Sequence, residues 1–156
     1  MIIRKAKPKD ARKISNLRIK TIQKINGRDY NKKQIRILVN KNKPKNIIEK
    51  IKNRNMFCLI NKNRILGVIN LEENKIGGLF IRHNCVGKGY GRKLLVFTEN
   101  YAKKRKINKT KLYSTITAYN FYIKNGYKLK KKGTWSPEKG VKFTTYKMEK
   151  NLKCKF

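Results

Sequence analysis

Acidic residues are scarce in this chain: 8 Asp and Glu stand against 43 Lys and Arg in 156 residues, with a single His. One imidazole and scattered carboxylates give no support to a metal centre, which needs several such ligands converging on one ion. The three cysteines, Cys58, Cys85 and Cys154, cannot all pair, and none is spaced as Cys-x-x-Cys. They read as reduced thiols rather than a disulfide framework or a zinc knuckle. No apolar run approaches the roughly 20 residues that span a bilayer, and residues 1–7 lack the apolar stretch of a secretory leader. A non-membrane, cytoplasmic protein is expected. Repeats and low-complexity linkers are also missing, so residues 1–156 form one domain, with 38% hydrophobic residues to supply its core.

What is abundant is positive charge, a net +35. Such a surplus fits a polyanionic partner, and non-specific association with nucleic acid follows from the charge alone. It fits equally well a composition rich in Lys, Ile and Asn of the kind an AT-biased genome produces. Charge by itself does not name a function.

Hydrophobic periodicity lays out an alternating α/β order. Residues 2–6 form a first strand, and Pro8 with Asp10 then opens a helix whose stripe is Ile14, Leu17, Thr21 and Ile25, ended by Gly27. Helices over 31–39 and 44–51 follow. Strands at 56–60 and 65–71 join through the polar turn 61–63 as a hairpin, and a strand at 76–81 continues the meander. A helix then carries Leu94, Leu95, Thr98, Tyr101 and Ala102 inward. A strand at 109–116, a short helix at 118–124 stopped by Gly126, and strands at 127–131 and 141–148 complete the chain, with 133–140 as a loop. The expectation is a mixed α/β sheet of six or seven strands, mostly antiparallel, with its crossover between residues 81 and 109.

At that crossover lies Val86-Gly87-Lys88-Gly89-Tyr90-Gly91. Alternating glycines let the backbone turn sharply and approach a ligand, and the free N–H groups of the following helix point at an anion. It reads as a phosphate cradle. A dinucleotide fingerprint fails, because Leu94 stands where the third glycine of Gly89-x-Gly91 should be and no acid occurs between Glu99 and Glu138. A P-loop fails as well, since no Gly-Lys-Ser or Gly-Lys-Thr follows a glycine and four-residue spacer.

Both glycines of the loop match the Gln/Arg-x-x-Gly-x-Gly/Ala cofactor motif of the GNAT acyltransferase superfamily, which the chain resembles. The segment Ala118-Tyr119-Asn120-Phe121-Tyr122-Ile123-Lys124-Asn125-Gly126-Tyr127 is similar to that family's Ala-x-x-Phe-Tyr-x-x-x-Gly-Phe signature. The likeness extends to Glu99-Asn100-Tyr101-Ala102, to the ending Lys147-Met148-Glu149-Lys150 and to the opening strand with Pro8-Lys9-Asp10. Val86 departs from the usual Gln/Arg, His83 from a common Pro, and Thr115 from a common Ser or Asn.

The resemblance implies an N-acetyltransferase with a splayed GNAT-like sheet, moving acetyl from acetyl-CoA (coenzyme A) to a primary amine by direct attack in a ternary complex. It implies cofactor contacts from Phe80, Ile81, Val86, Gly87, Lys88, Gly89, Tyr90, Gly91, Arg92, Asn120 and Lys124, with Lys93 adding charge, and Tyr122 as general acid. The alternative for Tyr122 is a core aromatic with a satisfied hydroxyl. An acceptor ammonium must shed a proton. Among the eight acids Glu72, with Glu73 beside it, is the candidate base acting through water, or else an exposed hairpin carboxylate. His83 is a candidate base or a solvent-facing loop residue, and Cys85 an inert thiol. Tyr30, Trp135 and the 31–39 helix are expected to shape the acceptor pocket. A monomer or homodimer fits the resemblance, and the alternative is a basic nucleic-acid- or ribosome-associated module on the same fold with little or no catalysis.

Overall fold

Met56, Phe57, Cys58, Leu59 and Ile60 are apolar at every position, the pattern of a strand covered on both faces. In the computed structural model, which describes residues 1–153, this stretch is the buried centre of β2. Cys154 lies outside the described residues. Successive side chains point to opposite faces. Met56, Cys58 and Ile60 meet Ala11, Ile14, Leu17 and Ile47 on one face, while Phe57 and Leu59 meet Leu94, Leu95 and Ala102 on the other.

The elements are β1 (Ile2–Lys5), α1 (Ala11–Lys24), α2 (Lys32–Lys41), α3 (Pro44–Asn53), β2 (Asn55–Asn61), β3 (Arg64–Glu72), β4 (Lys75–Ile81), α4 (Tyr90–Lys104), β5 (Lys109–Ser114), α5 (Tyr119–Lys124), β6 (Lys128–Glu138) and β7 (Val141–Asn151). Seven strands make one sheet in the order β1-β2-β3-β4-β5-β7-β6. All neighbours are antiparallel except β4 and β5. The α1 and α3 helices cover one face, α4 and α5 the other. None of the described helices is long and apolar enough to cross a membrane.

Local chemistry sets the helix starts. Asp10 accepts from the Lys7 N–H at 2.8 Å and receives a two-pronged Arg4 guanidinium at 2.8 and 3.1 Å, fixing β1 to the entrance of α1. Asn31 and Gln34 exchange hydrogen bonds as a capping box at the start of α2.

Two features of the sheet create the site. In β3 the single residue Ile69 lies opposite Gly78 and Leu79 of β4, a bulge with Gly78 at φ +56°. The parallel β4 and β5 share only the Lys75–Lys111 pairing and then part. Backbone groups of the two strands beyond that point face an opening rather than each other.

The expected loop at 133–140 is instead strand. Residues up to Glu138 pair with β7, and only Lys139 and Gly140 turn the hairpin, with Gly140 at φ +80°. Gly133, Ser136 and Pro137 carry loop chemistry, but β6 is an edge strand, and Pro137 falls where the register shifts between Trp135 and Glu138. Both are places where a strand tolerates a residue without an N–H.

Candidate active site

The opening between β4 and β5 is a cleft of about 410 Å³. Its walls include Gly77 to Ile81 of β4, Leu112 to Ser114 of β5, and Phe121 and Tyr122 of α5. Thr21, Ile25 and Asn26 close it from the α1 side. The glycine segment closes one end. Gly87 and Gly89 both have φ above +80°, and a Cβ at either would meet nothing within 4 Å. Glycine is needed there for backbone conformation and not for local packing.

Among the described residues, the backbone N–H groups of residues 86–92 donate to no protein acceptor; the first in this run to do so is Lys93, to Gly89 O at 3.1 Å. Gly89 is the cap of α4, so this row of free donors coincides with the positive end of a 15-residue helix. Arg92 also lines the cleft. The cradle therefore fits an anionic phosphate group on donor count and on charge.

Of the residues expected to hold a cofactor, Phe80, Ile81, Val86, Gly87, Gly89, Tyr90, Gly91 and Arg92 come together on the cleft wall. Lys88, Asn120 and Lys124 are exposed and outside it. Close packing holds Gly91: a Cβ there would lie 3.3 Å from the Phe121 ring.

Tyr122 lines the cleft while 6% exposed, edge-on to Phe121 and Tyr127. Burial pushes its hydroxyl well above the ordinary tyrosine range, so it keeps its proton at neutral pH. Tyr127 is a different case: its hydroxyl bonds Thr110 at 2.9 Å and Glu99 at 3.1 Å inside the core.

Glu72 does not reach the cleft. It pairs with Arg54 at 3.2 Å at the end of β3, opposite Lys75, where β4 is still joined to β5. The cleft opens beyond that end, towards Ile81. Trp135 also stands apart from it, and Tyr30 is not on its wall, although the Tyr30 hydroxyl lies against Thr115 and Ile116 in the connection that borders it. Tyr30 is buried with Ile37, Val141 and Phe143, and Trp135 stacks on Phe143 with Lys41 over its ring at 4.9 Å. Both serve a small satellite core joining α2 to the β6–β7 hairpin.

The sequence reading missed Arg18. It is 1% exposed, its side chain reaches Asn42 Oδ1 at 3.3 Å, Asn70 Oδ1 at 3.3 Å and Gly78 O at 3.2 Å, and among the described residues no carboxylate pairs with it. Burial pulls its guanidinium down to about 10. Its Nε lacks a partner. A charged residue on the apolar stripe between Ile14, Leu17 and Thr21 was the available signal. Arg18 clamps the β4 bulge to α1 and β3, and Thr21 Oγ1 donates to Ile81 O at 2.9 Å to hold the far end of the strand.

A splayed sheet with an anion cradle at a helix start and a buried tyrosine in the gap defines an acyl-transfer architecture. An acetyltransferase (GNAT) domain model matches residues 26–150, well over half of the chain, and the protein belongs to that family. A GCN5-related N-acetyltransferase from Rhodopseudomonas palustris superposes with TM-score 0.89 at 20% identity, over 96% of this chain and 94% of that one. The PaiA N-acetyltransferase of Thermoplasma acidophilum, solved with coenzyme A, gives 0.76 at 20% identity over 96% and 98%. The aminoglycoside 6'-N-acetyltransferase of Enterococcus faecium gives 0.72 at 14% identity over 99% of each. At these identities the likeness is one of fold. Comparison with curated protein sequences finds no match.

Proposed function

We propose that the protein is a cytoplasmic acetyl-CoA-dependent N-acetyltransferase that acylates a primary amine directly, with no acyl-enzyme. The observation that carries this reading is the run of unpaired amides at residues 86–92 opening onto a cleft that also contains Tyr122. Those amides and Arg92 would take the cofactor's pyrophosphate. The unpaired edges of β4 and β5 would receive its amide-bearing arm as an added strand. Acetyl-CoA supplies an activated thioester acetyl group.

The chain's own residues do the rest. A β4 N–H beside the bulge polarises a carbonyl, and Arg18 fixes that strand in place by holding Gly78 O. Tyr122, kept protonated by burial, would supply its hydroxyl hydrogen to the departing sulfur and regain a proton from the one the attacking nitrogen gives up. Apolar walls at Leu79, Phe80 and Ile81 limit water access to the acyl group. Cys85 lines the cleft, but among the described residues no His–carboxylate pair accompanies it as an activated nucleophile would require.

Thermal melting with acetyl-CoA, and thiol release with a panel of primary amines, test the reading. A rise in Tm together with amine-dependent thiol release is expected. No rise in Tm, combined with salt-sensitive RNA binding, would instead favour a basic nucleic-acid module. The net charge of +35 supports weak nucleic-acid association in either case.

A further inference from the structure

Carboxylates are the scarcest functional groups in this chain, so how each is engaged is informative. Asp10, Glu72, Glu99, Glu138 and Glu149 each pair with a Lys or Arg at 3.5 Å or less. Among the described residues three carboxylates, Asp29, Glu49 and Glu73, have no such partner, and of these three only Asp29 is engaged by another side chain. Its Oδ2 instead accepts a hydrogen bond from Thr117 Oγ1 at 2.6 Å. Thr117 lines the cleft, as does Asn26, whose Nδ2 donates to the same Thr117 oxygen at 3.3 Å. Of the described carboxylates, Asp29 is the one hydrogen-bonded to a side chain of the cleft wall.

The arrangement is held from both sides. Asp29 and Tyr30 donate their N–H groups to Asn26 O at 2.9 and 3.1 Å, and the Tyr30 ring is locked edge-on against Phe143. Thr117 sits in the connection between β5 and α5, five residues before Tyr122. The trio thus links the α1 side of the cleft to the strand that parts from β4.

Donor and acceptor accounting leaves a vacancy of one chemical kind. A threonine hydroxyl has one hydrogen and two lone pairs. The hydrogen goes to Asp29 and one lone pair to Asn26, leaving one lone pair. Asp29 is exposed beside the cleft wall, and its Oδ1, which meets no protein donor among the described residues, is open to solvent and to a ligand alike. Two free acceptors, one of them charged, suit a ligand with several N–H donors and a positive charge. We propose that Thr117 Oγ1 and Asp29 Oδ1 form the seat for the acceptor's ammonium group, which makes these two residues specificity-determining for the amine. Thr117 contacts the amine, Asp29 both orients Thr117 and supplies the charge, and the ammonium proton passes by way of the exposed Asp29 carboxylate to solvent before the neutral nitrogen attacks. This deepens the acetyltransferase reading and rests on it. The local carboxylate outweighs the general repulsion that a +35 surface exerts on cations, because a direct charged contact acts within a few ångströms whereas surface charge is screened over about 8–10 Å.

The test titrates methylamine, phenethylamine and spermidine into the CoA-loaded protein by calorimetry, in the parent and in Asp29→Asn, Thr117→Val and Thr117→Ser. Binding of at least one amine is expected, about tenfold or more weaker in Asp29→Asn and Thr117→Val, and retained in Thr117→Ser, which keeps the hydroxyl. The CoA-induced rise in Tm stays unchanged in all variants. Binding of none of the amines to the parent overturns the proposal. So does equal binding in Asp29→Asn, or a loss matched by loss of the CoA response. Thiol release from acetyl-CoA with the same amines separates the two claims: amine binding with this dependence but no turnover counts against the transfer reading and upholds the ammonium seat.

Discussion

Replacing Gly78 with Ala places a methyl group where the structure has no room for one. The residue sits at φ +56°, and its new Cβ would lie 2.8 Å from Arg18 Nη2 and 2.8 Å from Asn70 Nδ2. The left-handed backbone costs an alanine about 1–2 kcal/mol. Relief of the contact moves the Arg18 group that donates to both Gly78 O and Asn70 Oδ1. A hydrogen bond to a charged group contributes about 1.5–3 kcal/mol, so losing even one brings the total to about 2.5–5 kcal/mol. That is a large share of the roughly 5–15 kcal/mol by which a domain is stable. Gly77 next door is the control: it has no positive φ, and its Cβ would meet nothing within 4 Å. Gly77→Ala should change stability by less than about 1 kcal/mol, in the stabilising direction if the unfolded chain dominates. Urea unfolding of both variants, with m-values compared, reads the difference. If Gly78→Ala fell within about 1 kcal/mol of Gly77→Ala, the close-packed clamp around Arg18 would be wrong.

Tyr122→Phe should bind acetyl-CoA normally and lose roughly 10²–10⁴ in kcat, and full turnover in steady-state assays would remove the hydroxyl from the mechanism. Cys58 is fully buried and its thiol is pushed up to about 12, so a thiol reagent at pH 8 should leave it unlabelled until the protein is denatured. Cys85, on the cleft wall, should react in the folded protein and be protected by CoA; peptide mapping of the labelled sites checks both. The Arg4 guanidinium holds the Asp10 carboxyl below its ordinary value of 3.8. The stability this contributes is fully present above that value and is lost as pH falls through the lower folded one, so acid unfolding of Asp10→Asn should show a shallower pH dependence.

What the sequence revealed depended on whether the determinant was local. Residues 87–91 announced themselves because only glycine adopts φ near +80° freely, and the two-sided burial of β2 was written in an unbroken apolar run. Tyr122 was reachable through the resemblance of residues 118–127 to the family signature, whose residues all lie in or beside one short helix. The error at 133–140 had a local origin too: Gly, Ser and Pro carry turn chemistry whose meaning changes on a sheet edge, and edge position is a property of the whole sheet.

The acids show where reading along the chain stops. Chain order favours Glu72 because it ends the strand before the cofactor strand, which is true in sequence and misleading in space. An antiparallel hairpin puts the end of β3 beside the start of β4, and that start is where β4 remains joined to β5. The cleft lies at the opposite end, which the chain reaches from Asn26 and Asp29 on one side and Thr117 on the other, 88 positions apart. No periodicity links such residues. Arg18 lies between these extremes: its place on an apolar stripe marked it as buried, but only the sheet shows that it is buried against Gly78, at the strand whose bulge and splay create the cleft. A charge in that position has to be held by carbonyl and amide oxygens from β3, β4 and the connection after α2, so the clamp and the cleft form only when the whole sheet does.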